Sequence, residues 1–354
     1  MSQINWGIIG CGEVAEVKSG PGFQKATHSE LVAVMRRNAE RAKDFAQRHN
    51  VRKWYDDANA LIHDPDVNAI YIATPPSSHK KYTLLAAAAG KPVYVEKPMA
   101  LNATEAKDMV DACAAANVKL YAAYYRRALP RFLYIKEKIE NGFIGQVKSV
   151  STTLHKKALK NRNDFSDPPW RLMPAISGGG LFVDLASHVL DFLDFVLGPI
   201  QSVAGYAGNQ SKLSEAEDIV SATFLFASGV HGIGLWNFNS FTQYDQTEIV
   251  GDHGKISFSI FNDAPVKITT LEEVTEKHII NPPHVQQPMI QSVVNDLLGM
   301  GKCSSTGVSG LRTSRIMDQI LSSYYGNIKT GDDAYTHAKD ERPKDKPTQS
   351  GTYH

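Results

Sequence analysis

Residues 4–15 read INWGIIGCGEVA, and this stretch decides the fold. The apolar run from Ile4 to Gly10 ends in glycine, which is typical of a buried strand. The glycines at 10 and 12 and the alanine at 15 fit the pattern G-x-G-x-x-A between a strand and a helix. Gly10 permits a tight turn, Gly12 lets the backbone approach a pyrophosphate at the helix N-terminus, and Ala15 lets the helix pack closely. The predicted cofactor contacts are Gly10, Gly12, Glu13, Val14 and Ala15; the alternative is a tight turn without a ligand.

Strand and helix patterns alternate through the rest of the first third of the chain. Strands are predicted at 31–35, 67–73, 92–95 and 118–123, and helices at 13–26, 38–49, 79–89 and 103–116. Such alternation indicates βαβ units with right-handed crossovers, so residues 1–122 are expected to form a doubly wound parallel sheet. The Gly20-Pro21-Gly22 sequence is expected to break or kink the first helix.

The pattern changes after residue 145. Strand-like segments joined by short turns are predicted at 147–154, 200–208, 217–227, 229–239, 244–250 and 255–261, followed by a helix at 309–325. Neighbouring strands with short turns favour an antiparallel sheet, so residues 123–330 are expected to form a second α/β domain with a large, mostly antiparallel open sheet. The polar tail at 331–354 is predicted to be poorly ordered.

Composition excludes several classes of protein. At about 150 residues per domain, the 354 residues suggest two domains. Lys plus Arg number 38 against 37 Asp plus Glu, which argues against a nucleic-acid partner. No long apolar run predicts a membrane span, and no signal peptide is recognised. Because Cys11, Cys113 and Cys303 form no CxxC pair, neither disulfides nor a zinc site is expected, and a soluble cytoplasmic protein is predicted.

The second predicted strand ends in Arg36-Arg37. An acidic residue at this point would bond the ribose 2′-hydroxyl of NAD, and none is present. Two arginines suit the 2′-phosphate of NADP, so NADP is predicted in preference to NAD, with NAD kept as possible. The alternative is two solvated surface arginines.

Two further motifs carry polar side chains suited to proton transfer. Lys97 lies in Glu96-Lys97-Pro98 directly after a strand, at the edge of the sheet where ligands bind. Asp184 and His188 are spaced i,i+4 on a helix after a glycine run, which suits acid–base work and close approach of a ligand. The alternatives are a capped helix with a satisfied histidine, or a metal pair; no metal is predicted, since no third ligand stands out.

Taken in this order, the motifs make the sequence resemble the glucose–fructose oxidoreductase/inositol dehydrogenase (Gfo/Idh/MocA) family over residues 3–328. The matching segments are GIIGCGEVAE at 7–16, ATPPSSH at 73–79, GKPVYVEKPMALN at 90–102, YYRR at 124–127, WR at 170–171, GGGLFVDLASH at 178–188 and GDHGKISF at 251–258.

The resemblance implies a Rossmann domain, an α/β domain whose open sheet often makes the oligomer contact, and hydride transfer between a nicotinamide and a sugar, inositol or polyol carbon. It implies that Lys97 and His188 face the reacting oxygen, with His188 as the proton shuttle, and that Asp184 holds sugar hydroxyls. Cofactor contacts are expected from Thr74, Pro75, Pro76, His79, Glu96 and Lys97, and substrate contacts from Tyr124, Arg126, Trp170, Arg171, Asp184 and His188. One departure is Ala186, where the family usually has glycine.

Three functions are weighed: a sugar or polyol oxidoreductase, a non-catalytic nucleotide-sensing protein on the same fold, and a glycosidase that oxidises transiently. The joint presence of Lys97, Asp184 and His188 favours the first. Arg126, Arg127 and Arg171 suit an acidic or phosphorylated group on the substrate; the alternative is that they pair with Asp164 or Asp167. A homodimer or homotetramer is expected through a sheet face that carries Leu235, Trp236 and Phe238.

Overall fold

The computed structural model describes residues 2–158 and 169–326. The predicted tail at 331–354, the last residues of the predicted second domain, and Asp164 and Asp167 lie outside the described residues. No helix within the two described ranges is long and apolar enough to cross a bilayer.

The first layer is a parallel sheet wrapped by helices. Its strands are β1 (Ile4–Ile9), β2 (Ser29–Met35), β3 (Lys53–Tyr55), β4 (Ala69–Ile72), β5 (Val93–Val95) and β6 (Leu120–Ala122), in the order β3-β2-β1-β4-β5-β6. The connecting helices are α1 (Gly20–Lys25), α2 (Ala39–Arg48), α3 (Ala58–Ile62), α4 (His79–Ala88) and α5 (Ala103–Ala115). The doubly wound sheet is confirmed, and the sequence analysis missed only the short β3 and α3.

The first helix passes through the Gly20-Pro21-Gly22 sequence without stopping. A π-helical turn at Ala15–Ser19 precedes α1, and the Gly20 N–H donates to the Ala15 carbonyl, five residues back. Pro21 lies in the first turn of α1, where its missing N–H leaves no intrahelical bond unmade. The expected interruption is therefore a wider turn and not a break.

The second layer is a sheet of eight strands: β7 (Val147–Lys157), β8 (Ile200–Gly208), β9 (Ile219–Phe226), β10 (His231–Ser240), β11 (Tyr244–Gly251), β12 (Gly254–Phe258), β13 (Val266–Thr270) and β14 (Val274–Lys277). Their order is β14-β13-β12-β11-β7-β10-β9-β8. Only the β7–β10 pair is parallel, so the mostly antiparallel sheet is confirmed. Strands β13 and β14 were not predicted.

The remaining helices are α6 (Pro130–Glu140), α7 (Pro174–Ser177), α8 (Ser187–Leu197), α9 (Gln287–Leu297) and α10 (Gly307–Tyr325). α8 and α10 pack on one face of the second sheet and bury its apolar side chains. The unpredicted α9 instead packs on the first sheet, where Met289, Ile290 and Val293 join the core around Trp6 and Phe23. The chain thus returns to its first layer after the second sheet is complete.

Side chains alternate along β10 between the core and the uncovered face of the second sheet. Trp236 and Phe238 are 0% and 3% exposed, whereas Ile233 and Leu235 are 58% and 37% exposed. Two residues apart on a strand means the same face. The expectation that Trp236 and Phe238 share the open face with Leu235 is therefore wrong; Ile233 takes that place.

Candidate active site

The carboxyl ends of β1, β2, β4 and β5 form one edge of the parallel sheet, at the point where strand order reverses on either side of β1. Gly10 has a φ of +96°, and a Cβ there would lie 2.7 Å from Thr74 Cγ2. A Cβ on Gly12 would have only the Gly10 carbonyl oxygen near it, at 3.9 Å. Glycine at position 10 is thus required by the backbone conformation and by the close packing against Thr74. The space beside Gly12 is open and fits the pyrophosphate that the motif predicts.

Arg36 follows β2 directly and lies near the glycine turn, since its charge acts on the thiol of Cys11. Burial raises the pKa of Cys11 to about 11, against the lowering effect of Arg36. Arg36 is half-buried and Arg37 is exposed. Neither guanidinium forms an ion pair within the described residues, so both remain available to an anion beside the turn.

Lys97 and Asp184 form the charged centre of the site. The Lys97 ammonium donates to Asp184 Oδ1 at 2.5 Å and to the Asp184 carbonyl at 2.9 Å. Arg171 Nε lies 3.6 Å from the other carboxylate oxygen, Asp184 Oδ2. Burial alone would raise the pKa of Asp184, but the charges of Lys97, Arg171 and Lys18 outweigh it and lower that pKa. Asp184 is therefore an anion that is ion-paired with Lys97 and Arg171.

His188 lies in an aromatic pocket beside this pair. The rings of Tyr124, Tyr125 and Phe261 stand edge-on to the imidazole at 6.0, 5.4 and 6.1 Å between centroids. Neither ring nitrogen bonds to a described residue, and Nδ1 is buried. Burial, followed by the charges of Arg126, Lys97 and Lys18, holds the pKa of His188 well below its usual range. His188 is thus a neutral imidazole at neutral pH.

The glycine run before Asp184 makes room for the protein and not for a ligand. A Cβ on Gly178 would lie 2.5 Å from the Leu101 carbonyl oxygen, and one on Gly180 would lie 2.5 Å from the Glu217 carbonyl oxygen. The expectation that this run lets cofactor or substrate approach is wrong for these two positions. Gly178 lets this segment pack against the loop that carries Lys97, and Gly180 lets it pack against the backbone at Glu217.

Glu96 points away from the sheet edge, into a buried network. Its Oε1 accepts from the Tyr71 hydroxyl at 2.6 Å and from Gln286 Nε2 at 2.7 Å, and its Oε2 accepts from the Lys97 N–H at 3.1 Å. The cofactor contact expected of Glu96 stays a prediction; in the structure its carboxylate is bonded to Tyr71, Gln286 and the backbone of Lys97. Gln286 was missed from sequence, because it is remote along the chain and belongs to no motif.

Three residues that the sequence analysis predicted as ligand contacts, His79, Pro76 and Tyr124, are buried in the structure, and their contact with a ligand stays a prediction. His79 is 0% exposed, and its Nε2 lies 2.7 Å from the Thr74 carbonyl while Nδ1 lies 3.1 Å from the Pro98 carbonyl. Burial lowers the pKa of His79, although both carbonyl groups favour the protonated ring. The neutral ring has one N–H and donates to only one of the two carbonyls. Pro76 is also buried, and Tyr124 lies behind His188 at 0% exposure. These side chains support the site from within; Thr74 and Pro75 stay half-buried at the edge.

The arginines of the YYRR segment differ in their partners. Arg127 is committed to Asp191 and Asp194, with Nε 2.7 Å from Asp191 Oδ2. It is therefore not available to a substrate. Asp191, three residues after His188, is thus directed toward Arg127 and not toward the site. Arg126 instead donates from Nε to the Ile260 carbonyl at 3.1 Å and leaves Nη1 buried without a partner.

Trp170 and Arg171 lie at the solvent-facing rim of the candidate active site, beside Asp184. Trp170 opens a short 3-10 turn, Trp170–Leu172, and the Arg171 guanidinium stacks over its indole at 4.5 Å from the ring centroid. Both side chains are half-buried, which leaves them a face toward solvent. The structure thus brings Lys97, Arg171, Asp184 and His188 to the sheet edge that carries the glycine turn.

Comparison with known proteins agrees with this geometry. Residues 4–124 match the family model described as "Oxidoreductase family, NAD-binding Rossmann fold", and residues 132–257 match the Gfo/Idh/MocA C-terminal domain. The chain is 43% identical to oxidoreductase P35 of Formosa agariphila over 90% of this chain and 98% of that protein. It is 30% identical to a 1,5-anhydro-D-fructose reductase of Ensifer adhaerens over 86% of this chain and 92% of that protein.

A solved levoglucosan dehydrogenase, in complex with NADH and levoglucosan, has the same fold. It superposes with a TM-score of 0.80 at 24% identity, over 91% of this chain and 97% of the other. The family models, the relatives and the sheet topology agree with each other. The chain therefore belongs to the Gfo/Idh/MocA family and is a nicotinamide-dependent oxidoreductase.

Proposed function

We propose that this chain transfers a hydride between a nicotinamide, NADP in preference to NAD, and a hydroxyl or carbonyl carbon of a sugar or polyol. The observation that carries the proposal is the convergence of Lys97, Asp184 and His188 beside the glycine turn. A protein that only sensed nucleotides would not need a buried imidazole without hydrogen-bond partners next to a lysine–aspartate pair.

The nicotinamide, when bound, supplies or accepts the hydride. In the oxidation direction, the neutral imidazole of His188 takes the proton from the substrate hydroxyl; in reduction it returns that proton. The Lys97 ammonium donates a hydrogen bond to the same oxygen and stabilises negative charge that develops on it. Asp184 holds the ammonium in position through two acceptor atoms.

Two features support a sugar or polyol as substrate. Trp170 offers an indole face at the rim, of the kind on which a sugar ring stacks, and Arg171 extends that surface. The relative from Ensifer adhaerens is named for an anhydro-sugar, 1,5-anhydro-D-fructose. Asp184 remains the proposed acceptor for sugar hydroxyls through the lone pairs that its cations leave free.

The preference for NADP rests on Arg36 and Arg37. Arg36 is close enough to the glycine turn to act on Cys11, and a 2′-phosphate on the adenine ribose would approach both guanidinium groups. The experiment is a fluorescence titration with NADPH and with NADH on the wild type and on Arg36→Ala/Arg37→Ala. Tighter binding of NADPH that the double variant loses is the expected result. Preference for NADH would overturn the NADP assignment alone.

Turnover tests the rest of the proposal. A screen of sugars and polyols with the preferred cofactor is expected to give activity that Lys97→Met lacks, with binding of the cofactor retained. Binding of a cofactor without turnover of any sugar or polyol would favour the nucleotide-sensing function instead.

We also propose a homodimer or homotetramer that forms through the open face of the second sheet. Ile233 and Leu235 are exposed there, and a depression of about 590 Å³ crosses the same face between β7, β8, β9 and β10. An exposed apolar patch on a sheet is typical of an interface. A reducing, cytoplasmic environment is part of the proposal, because Cys11, Cys113 and Cys303 are free thiols.

A further inference from the structure

We propose that the sugar substrate carries an anionic group, a carboxylate or a phosphate ester, which Arg126 and Arg171 bind beside the reacting carbon. This inference rests on the proposed function and names the substrate class of the same site. It follows from two guanidinium groups at the site: among the described residues Arg126 has no ion pair, and Arg171 lies 3.6 Å from its carboxylate partner.

Arg126 is the buried part of this charge. Its guanidinium lies 5.0 Å from the Tyr125 ring centroid and 4.6 Å from that of Phe261. The same two rings stand edge-on to His188, so the guanidinium and the imidazole share one pocket. Arg126 is 7% exposed, and it forms no ion pair within the described residues. A guanidinium that lies over ring faces can still donate from its edge; Arg126 Nε bonds to the Ile260 carbonyl, whereas Nη1 is buried without a partner and is suited to an anion.

Arg171 is the exposed part. Its Nε is 3.6 Å from Asp184 Oδ2, which is longer than a good hydrogen bond, and its side chain is 38% exposed. Asp184 already accepts twice from Lys97. The carboxylate is thus shared between two cations, and the guanidinium of Arg171 keeps donors for another acceptor.

The other nearby carboxylates form hydrogen bonds with groups other than Arg126 and Arg171. Glu96 is occupied by Tyr71, Gln286 and the Lys97 N–H, and it lies behind the lysine. Asp245 is occupied by three backbone N–H groups, those of Ile260, Phe261 and Asn262. Four cations act on Asp184 or His188, namely Lys18, Lys97, Arg126 and Arg171, and Asp184 is ion-paired with two of them, Lys97 and Arg171.

The cofactor does not account for this charge either. Its pyrophosphate is expected at the glycine turn, where helix N–H groups and the open space beside Gly12 receive it. An oxidised nicotinamide is itself a cation, so its arrival would add to the positive charge. An anion on the substrate is the partner that we propose for Arg126 and Arg171.

The test compares three sugars that differ in one group: glucose, glucuronate and glucose 6-phosphate. Each is titrated by calorimetry onto the protein saturated with NADPH, and each is assayed for turnover with the oxidised cofactor. We expect one of the two anionic sugars to bind about 10- to 100-fold tighter than glucose, since hydrogen bonds to charged groups are strong. The better of the two identifies the anion as carboxylate or phosphate.

Arg126→Gln and Arg171→Gln are each expected to lower the ratio of anionic to neutral binding by about tenfold. Lys302→Gln, which removes an exposed cation on a turn after α9, is the matched control and is expected to keep the ratio. Equal binding of all three sugars, or a ratio unchanged in both arginine variants, would overturn the inference; pairing of these arginines with Asp164 or Asp167 would produce that result.

Binding and turnover separate this inference from the proposed function. Oxidation of glucose as efficient as that of both anionic sugars would overturn the anion inference and leave the oxidoreductase proposal intact. Selective binding of an anionic sugar without oxidation of any sugar or polyol would leave the anion site and overturn the proposed reaction.

Discussion

At the scale of single residues, the site depends on how three charged or titratable groups are held. Lys97 is bound by both the carbonyl and the carboxylate of Asp184, and His188 is held by ring packing without a hydrogen bond. An ammonium with fixed direction beside a neutral imidazole is an arrangement that can both polarise an oxygen and take its proton. Each group can be tested separately.

Asp184→Asn tests whether the ion pair with Asp184 orients the Lys97 ammonium. The amide keeps the shape of the carboxylate but not its charge, so the ammonium loses its orientation and Arg171 loses its partner. We expect kcat to fall by about 100-fold, with a small change in the affinity for the cofactor. Steady-state kinetics and a cofactor titration measure the two quantities. Asp111→Asn, which removes an exposed carboxylate from the i,i+4 pair with Lys107, is the control and should leave kcat unchanged.

His188 predicts a pH dependence of stability. Its folded pKa lies well below the ordinary value, first because of burial and then because of Arg126, Lys97 and Lys18. Below about pH 6.5 the imidazole is therefore protonated in the unfolded chain and neutral in the folded chain. The free energy of unfolding is highest above that pH and falls as the pH is lowered below it.

The measurement is urea unfolding at several pH values between 5 and 8 on the wild type and on His188→Asn. His79 is depressed in the same direction and is present in both proteins, so the difference between the curves reports His188. The free energy of unfolding of the wild type should fall more steeply on acidification, by up to about 1.4 kcal/mol per pH unit. Parallel curves would contradict the prediction.

At the scale of elements, two π-helical turns each supply a charged residue to the site, and the charge of Lys18 on one acts on Asp184 on the other. Ala15–Ser19 carries Lys18 and follows the glycine turn, while Phe182–Ala186 carries Asp184 and precedes α8. A π-helical turn rotates the side chains that follow it relative to an α-helix. This explains why Asp184 and His188, four residues apart, contact different partners and not each other.

The two glycines of the first turn are expected to respond differently to alanine. Gly10→Ala places a side chain at φ +96° and within 2.7 Å of Thr74 Cγ2, so it should lower the melting temperature. Gly12→Ala meets only the Gly10 carbonyl oxygen, at 3.9 Å, so the fold should stay and cofactor affinity should fall by about tenfold. Thermal melts and NADPH titration distinguish them; unchanged affinity in Gly12→Ala would argue against a pyrophosphate at this turn.

Gln286, just before α9, is expected to position Lys97 through Glu96. Gln286→Leu removes the donor at 2.7 Å from Glu96 Oε1 and leaves the carboxylate with fewer bonds. We expect kcat to fall by about five- to tenfold while KM changes little, because the altered group does not touch the substrate. Gln291→Leu, on the same helix but bonded to Thr27, is the matched control. Equal effects of the two variants on kcat would indicate a general loss of packing.

At the scale of the whole molecule, two helices from the C-terminal part of the chain, α9 and α10, pack against the first sheet after the second sheet is complete. Residues 1–122 and 123–330 remain the predicted domains, yet α9 returns to the first core with Met289 and Ile290. α10 begins against β6, through a bridge between Tyr121 and Thr306, and ends on β8. These returns hold Gln286 behind Glu96, so the site depends on segments far apart along the chain.

The open face of the second sheet leads to the last prediction. Ile233→Asp places a charge where 58% of an apolar side chain is exposed, next to Leu235 on the same face. If copies of the chain pair through this face, the variant should dissociate to a smaller species, since a buried unpaired charge opposes association. Light scattering after size exclusion measures the mass. Lys212→Asp, an exposed loop position, is the control; an unchanged mass of Ile233→Asp would place the interface elsewhere.

Local patterns were sufficient for the architecture of the first layer. The apolar runs that become β1 and β2, the glycine turn and the helices that follow depend on neighbours within a few residues, so the sequence predicts them directly. Short elements such as β3 and α3 were missed, because three to five residues carry too little periodicity.

The candidate site was predictable only as a set of residue types. The sequence placed Lys97, Asp184 and His188 in motifs, but it could not say which partners each would meet. Thus Arg126 and Arg127 are adjacent in sequence but have different partners. Arg127 is ion-paired with Asp191, whereas Arg126 packs on the Phe261 ring. Both residues lie in the 3-10 turn Tyr125–Ala128, where one step rotates the side chain by about a third of a turn, and packing decides which partners each direction meets.

By itself, the sequence determined the parallel sheet, the dinucleotide turn and the identity of the polar groups, because backbone geometry and hydrophobic periodicity are local properties of the chain. Only the tertiary structure decided that Glu96 and His79 face inward, that the glycines at 178 and 180 receive the backbone of other segments, and that Gln286 supports Lys97. These contacts join residues far apart along the chain, and their energies depend on burial and distance, which no local pattern records.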